Sequence, residues 1–258
     1  LFGQNVYIPD ANFKNYLVNI TGINTNGDSE IQVSEASSYS GGIDCGYENI
    51  SDLTGIEAFT ALTVLHCGYN QLTSLDVSNN IALTGLTCQH NQLTSLDVSS
   101  NTALTGLGFQ QNYLTSLDVS NNNALTYLNC YNNPLECLNV KNGNNALFTY
   151  FVVLANPSLT CIEVDDVNYS TTNWNNIDPQ TSFSTDCGND CSDCTPTSSI
   201  DTHTACNSFT WLDGTNYTAS NNTATFTTTN AAGCDSIITL DLTIENSVTP
   251  AFDLGPYC

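Results

Sequence analysis

The chain has 258 residues, room for one extended domain and a small second one, and sets 25 Asp and Glu against two lysines, Lys14 and Lys141, for a formal net charge of −23 without a single arginine. Nucleic acids and anionic membrane surfaces need basic groups to neutralise their phosphates, so both are excluded as partners. Charged residues are only 10% of the chain and are scattered, so Asn, Ser and Thr carry the solvation and no disordered acidic tail is expected; twelve cysteines point to an oxidising compartment, and no apolar run is long enough to insert in a bilayer.

Residues 1–42 form an N-terminal cap. Pro9 to Ile20 predicts a short helix with Asp10 as N-cap and Phe13, Leu17 and Ile20 on one face. A calcium-loop-like segment follows. Asn24, Asn26, Asp28, Glu30, Gln32 and Glu35 fall at loop positions 1, 3, 5, 7, 9 and 12 of an EF-hand, with Ile31 at the apolar position 8. The loop departs from the motif twice, with Asn at position 1 and Ser29 where glycine makes the sharp turn. Asn24, Asn26, Asp28, Glu30 and Glu35 are therefore either weak Ca2+ ligands or the elements of a cap that holds no metal. The loop resembles the EF-hand-like caps of bacterial internalin-type repeats, which implies the second.

The body, residues 43–187, is repetitive. Leu62, Leu65, Cys67, Asn70, Leu72, Leu75 and Val77 recur in the frames that start at Leu83, Leu104 and Leu125, each 21 residues after the last. Such a period means a solenoid whose coils bury their apolar faces only by stacking. Each repeat holds the pattern LxxLxLxxN twice, so one coil should carry two short strands on opposite sides. The expected fold is mainly β, a flat prism walled by two parallel sheets, with an irregular first coil over Ile43 to Phe59, a degenerate last one over Asn156 to Val164, and Tyr169, Trp174 and Phe183 laid over the open end. It resembles the nested leucine-rich repeats of secreted Bacteroidetes proteins, which implies a surface protein of a Gram-negative bacterium.

In-register stacking turns equivalent residues into rows about 4.8 Å apart. Cys45, Cys67, Cys88 and Cys130, with Phe109 between, share an inward position and are expected as packed thiols. Asp76, Asp97 and Asp118 form an outward acidic row, expected to be satisfied by neighbouring hydroxyls and amides. Asn70, Asn91, Asn112 and Asn133 are expected to satisfy backbone at turns. The variable outward positions, His66, Tyr69, Thr87, Gln89, His90, Gln110, Gln111, Asn129, Tyr131 and Asn132, form a face able to stack on and hydrogen-bond to sugars or protein loops.

Residues 188–197 read as a Cys-rich polar linker. The spacing of Cys187, Cys191 and Cys194 matches an iron–sulfur motif of enzymes that need a reduced cytosol and a barrel domain; disulfides are the expectation instead, with Cys161 able to pair with Cys137 or Cys187. Residues 198–246 hold Thr-rich alternating strands, and residues 247–258 look like the start of another module. Cys206 to Tyr217 and Gly233 to Ile244 resemble the small β-sandwich-like module, with CxSxTWxDG and GCDS signatures, found in tandem on Bacteroidetes surface proteins. That resemblance pairs Cys206 with Cys234 and implies type IX secretion.

Catalysis is not expected. His66, His90 and His203 are scattered, neither GxSxG nor HExxH occurs, and a solenoid offers a face rather than a pocket. The function expected is binding or adhesion at the cell surface, to protein or polysaccharide; the alternative is a self-associating subunit of an extracellular filament or surface layer.

Overall fold

In an extended three-residue segment only the central side chain points to one side, and the repeats use this to aim one leucine per strand inward. The computed structural model describes residues 4–188, 191, 197–229 and 235–245, divided between two units, Leu1–Asp193 and Cys194–Cys258.

In the first unit, six strands, β1 (Gly42–Asp44), β2 (Val64–His66), β3 (Gly85–Thr87), β4 (Gly106–Gly108), β6 (Tyr127–Asn129) and β8 (Tyr150–Val152), form one parallel sheet in that order. Their central residues Ile43, Leu65, Leu86, Leu107, Leu128 and Phe151 are in register and buried. Four strands, β5 (Ser116–Asp118), β7 (Cys137–Asn139), β9 (Cys161–Glu163) and β10 (Ser182–Ser184), form a second parallel sheet through Leu117, Leu138, Ile162 and Phe183. The fold is the expected solenoid, with a core that runs unbroken from Val6 to Trp174.

The second wall is shorter than the repeat pattern predicts. Ser74–Asp76 and Ser95–Asp97 occupy the equivalent places without forming ladder strands. Leucine insertion deepens along the same side: Leu75 is half-buried, Leu96 is 3% exposed and Leu138 is 0% exposed.

The cap closes one end. Helix α1 (Ala11–Val18) starts at Asp10, whose Oδ1 accepts from the N–H of Asn12 and Phe13 at 2.9 and 3.0 Å. Its Oδ2 accepts from the Ser51 N–H and hydroxyl at 2.8 and 2.9 Å, which ties the cap to the first coil. Phe13 and Leu17 are buried, while Ile20 is only half-buried. Helix α2 (Val33–Ser38) is closed by a capping box between Gln32 and Glu35. At the other end α3 (Val167–Asn173) delivers Trp174, stacked on Phe151 at 4.0 Å and edge-on to Phe148 and Phe183. The aromatic lid is as expected, except that Phe183 is itself a rung of the second sheet.

Two disulfides join the solenoid to the segment that follows: Cys137–Cys191 and Cys161–Cys187. The second is one of the two pairings open to Cys161 in the sequence. Cys137 does not bond Cys161, because as neighbours on the second sheet the two belong to separate rungs, whose Cβ atoms stand further apart than a disulfide spans.

In the second unit β11 (Thr197–Cys206) runs parallel to β15 (Asp235–Glu245), which pairs antiparallel with β14 (Thr225–Thr229), while β12 (Phe209–Thr210) and β13 (Asn216–Tyr217) make a hairpin. Trp211, Leu240 and Leu242 are its buried core, and the Trp211 indole N–H donates to Asp201 Oδ2 at 2.9 Å. Cys206 is disulfide-bonded; Cys234, its expected partner, and residues 247–258 lie outside the described residues.

Candidate binding face

One equivalent turn position is left-handed in every coil. Tyr47, Tyr69, His90, Gln111, Asn132 and Ala155 have φ between 53° and 63°, a region that costs a non-glycine residue of order 1–3 kcal/mol. From the second coil on, an asparagine follows each. Asn91 Nδ2 donates to the carbonyls of Cys88 and of Cys67 in the coil before, and its Oδ1 accepts from the Leu72 N–H; Asn70, Asn112 and Asn133 repeat the pattern. These buried amides hold the turn and give it the same shape in every coil.

The turn throws the preceding side chain outward, in file. The rings of Tyr47 and Tyr69 stack at 4.2 Å, and those of Tyr69 and His90 at 4.1 Å. The stack covers both faces of the Tyr69 ring and one face each of Tyr47 and His90. The Tyr47 phenol is pushed above its ordinary pKa by partial desolvation and by the neighbouring Tyr69 hydroxyl. Tyr127 and Tyr150 make a second stacked pair at 4.5 Å.

Two residues before the left-handed file in the third to fifth coils lie Cys88, Phe109 and Cys130, which point inward and are buried with Cys45 and Cys67. Burial pushes the Cys88 thiol up to about 12. Between the inward row and the file runs a row that reads Gly46, Gly68, Gln89, Gln110, Tyr131. A Cβ on Gly68 would lie 2.5 Å from Gln89 Cδ, so glycine there gives the Gln89 amide its place. Gln89 Oε1 and Gln110 Oε1 are buried acceptors with no hydrogen-bond partner, an arrangement that costs about 1–3 kcal/mol each. On the strands His66 Nδ1 and Thr87 Oγ1 are 2.6 Å apart, and Asn129 Oδ1 accepts from the Tyr131 N–H.

The result is a groove of about 540 Å³ lined by Asp44, Gly46, Tyr47, His66, Gly68, Tyr69, Thr87 and Gln89. A second depression of about 450 Å³ holds Gln111, Asn132, Tyr113 and Pro157 among its walls. The ten outward positions picked from the sequence thus fall in these rows: four of them line the groove, Gln111 and Asn132 line the depression, and His90, Gln110, Asn129 and Tyr131 lie in the files alongside. The sequence missed Asp44 and Tyr47. Tyr47 follows Cys45 by two residues, as Tyr69 follows Cys67, so the cysteine row was the signal that could have found it.

The calcium-like loop is closed by its own hydrogen bonds. Glu35 Oε1 accepts from the Thr25 N–H and hydroxyl and the Asn26 N–H at 2.7, 2.8 and 3.2 Å, and Oε2 accepts from the Gln32 N–H. Asp28 accepts from the Asn26 and Gln32 side-chain amides and the Glu30 N–H, Asn24 Oδ1 accepts from the Gly27 N–H, and Glu30 is paired with Lys14 at 2.6 Å. The loop's oxygens thus accept from backbone and side-chain N–H groups, the Thr25 hydroxyl and the Lys14 ammonium. Among the described residues no three His, Cys, Asp or Glu side chains converge as a metal-holding group. On the second wall Asp76, Asp97 and Asp118 each accept the N–H of the serine two residues on, at 2.9, 2.8 and 2.7 Å, which is the local satisfaction expected of that row.

No family model matches the chain. Over 38 residues, 15% of its length, it is 53% identical to internalin J of Listeria monocytogenes, of which it spans 4%. Among solved structures it resembles the functional domain of InlJ from the same organism, which includes a cysteine ladder, at 33% identity and TM-score 0.49 over 63% of this chain and 38% of that one. It also resembles a Listeria monocytogenes internalin, InlF, at 16% identity and TM-score 0.42 over 68% of each chain. The chain is thus similar in sequence to a short stretch of an internalin and spans less than two fifths of the InlJ structure.

Proposed function

We propose that this is an exported binding protein that engages a partner through the first sheet and the stacked file beside it. The observation that carries the reading is the row Tyr47–Tyr69–His90, three rings held in contact by left-handed turns that cost free energy, with Tyr47 70% exposed. Nothing in core packing requires rings there, whereas aromatic side chains held rigid at a surface are what strong contacts use. Because mutual stacking covers both faces of Tyr69 and one face each of Tyr47 and His90, little ring face is left for a sugar to stack on, which favours a polypeptide over a polysaccharide. Two disulfides in the solenoid support an oxidising, extracytoplasmic home.

The test is an array of surface proteins and glycans probed with the chain and its Tyr69→Ala and His90→Ala variants, alongside size exclusion. Retention of a partner that falls at least about tenfold in the Tyr69 variant supports the reading. Polymers that form without ligand, or retention indifferent to both substitutions, would sink it.

A further inference from the structure

We propose that the groove between β1–β3 and the Tyr47–Tyr69 stack receives a basic side chain, arginine or lysine, presented by a polypeptide partner. The inference rests on the binding reading above and names the chemistry of one contact within it. The groove's lining offers acceptors: the Asp44 carboxylate, the phenols of Tyr47 and Tyr69, and the amide of Gln89, whose Oε1 is a buried acceptor without a donor. Its two wall groups His66 and Thr87 are already held to one another at 2.6 Å. On the floor the Gln89 amide lies over Gly68 and the Asp44 carboxylate stands beside Gly46, so polar groups of the groove meet where neither glycine adds a side chain.

Charge selects what enters. The chain bears −23 with two lysines, and both are engaged elsewhere, Lys14 with Glu30 at 2.6 Å and Lys141 with the Thr185 carbonyl at 2.9 Å. No lysine of this chain lines the groove to compete with an incoming cation. A guanidinium can pair with the Asp44 carboxylate and donate a remaining N–H to a phenol oxygen of the Tyr47–Tyr69 pair.

Calorimetry at pH 8 on the full chain tests this, with blocked Gly-Ser-Arg-Ser-Gly as probe and its citrulline counterpart as neutral isostere. Asp44→Asn and Gly68→Ala alter the groove; Asp97→Asn removes the same charge from the opposite wall. Saturable binding of the arginine peptide, weakened about tenfold or more by the two groove variants and less than about twofold by Asp97→Asn, is expected. Equal loss from Asp44→Asn and Asp97→Asn, equal binding of the citrulline peptide, or no saturation at about 10 mM, a concentration at which even the weakest specific contacts register, would overturn it. Should the array partner depend on Tyr69 while Asp44→Asn changes nothing, the groove proposal fails and the binding reading stands. If the arginine peptide binds as expected but no array partner depends on Tyr69, the reverse holds.

Discussion

The side chain of Asn91 reaches back 24 residues to the carbonyl of Cys67 in the preceding coil, at 3.0 Å, while its own coil's Cys88 carbonyl takes the second amide hydrogen at the same distance. One side chain thus ties two coils and the left-handed turn of His90. Asn91→Ala leaves the buried Leu72 N–H without its acceptor and takes one of two amide donors from each of the Cys67 and Cys88 carbonyls, which Asn70 and Asn112 still serve, so a loss of about 1–3 kcal/mol is expected. Urea denaturation checks it. A loss under about 0.5 kcal/mol, the range of ordinary surface changes, would show that the ladder follows from the coil shape rather than setting it.

The inward thiols behave as apolar groups. Cys45 and Cys88 are both pushed up to about 12 by desolvation, so the nucleophilic thiolate is nearly absent at pH 8. Iodoacetamide at that pH should leave Cys45, Cys67, Cys88 and Cys130 unmodified in native protein and label all four in urea, as read by peptide mass. Cys88→Val should cost less than about 1.5 kcal/mol, since it exchanges one small apolar side chain for another of similar volume.

The periodic part of the fold was legible because stacking forces one residue type into one place: Leu65, Leu86, Leu107 and Leu128 announce the first sheet by spacing alone. Strand β8 was missed because Phe151 follows Leu128 by 23 residues, two more than the repeat, and is not a leucine. The second wall is shorter than its sequence announces, because LTSLDVS repeats identically although Ser74–Asp76 and Ser95–Asp97 do not pair as strands. In the candidate face, the outward positions followed from strand alternation, but the stacking of Tyr47, Tyr69 and His90 depends on a turn conformation that no spacing encodes. The partner of Cys137 was illegible for a related reason, since Cys191 lies in a segment without periodicity.

Acid should loosen the cap before the coils. Burial alone would raise the Asp10 carboxyl, but hydrogen bonds from Phe13, Ser51 and Asn12 hold it below its ordinary value; Glu35 is lowered likewise, against its desolvation, by bonds from Gln32, Thr25 and Asn26. A depressed folded pKa means that the unfolded chain binds protons first. The stability these groups contribute is therefore complete above about pH 4–5, where the unfolded carboxyls ionise, and drains away as pH falls through their lower folded values. Protection of the α1 and α2 amides, taken relative to their intrinsic exchange rates, should fall between about pH 4 and 2, and Asp10→Asn should flatten the Asp10 share of that change. Protection lost first in the β2–β6 amides would contradict this order.

Glu35 separates the two roles open to the calcium-like loop. As a cap, its carboxylate serves three backbone N–H groups and the Thr25 hydroxyl, so Glu35→Ala should lower stability by about 2–3 kcal/mol with or without cation. As a cation ligand with affinity near 0.1 mM, it would give the folded chain about 2.7 kcal/mol in 10 mM calcium, a gain visible as several degrees in the melting temperature. The hydrogen bonds to Glu35 support the first role, and on that reading calcium and EDTA should give melting curves within about 1 °C of each other, well below that linkage shift. A calcium-dependent rise that disappears in Glu35→Ala would instead make the loop a cation site that trades its amide bonds for ligation.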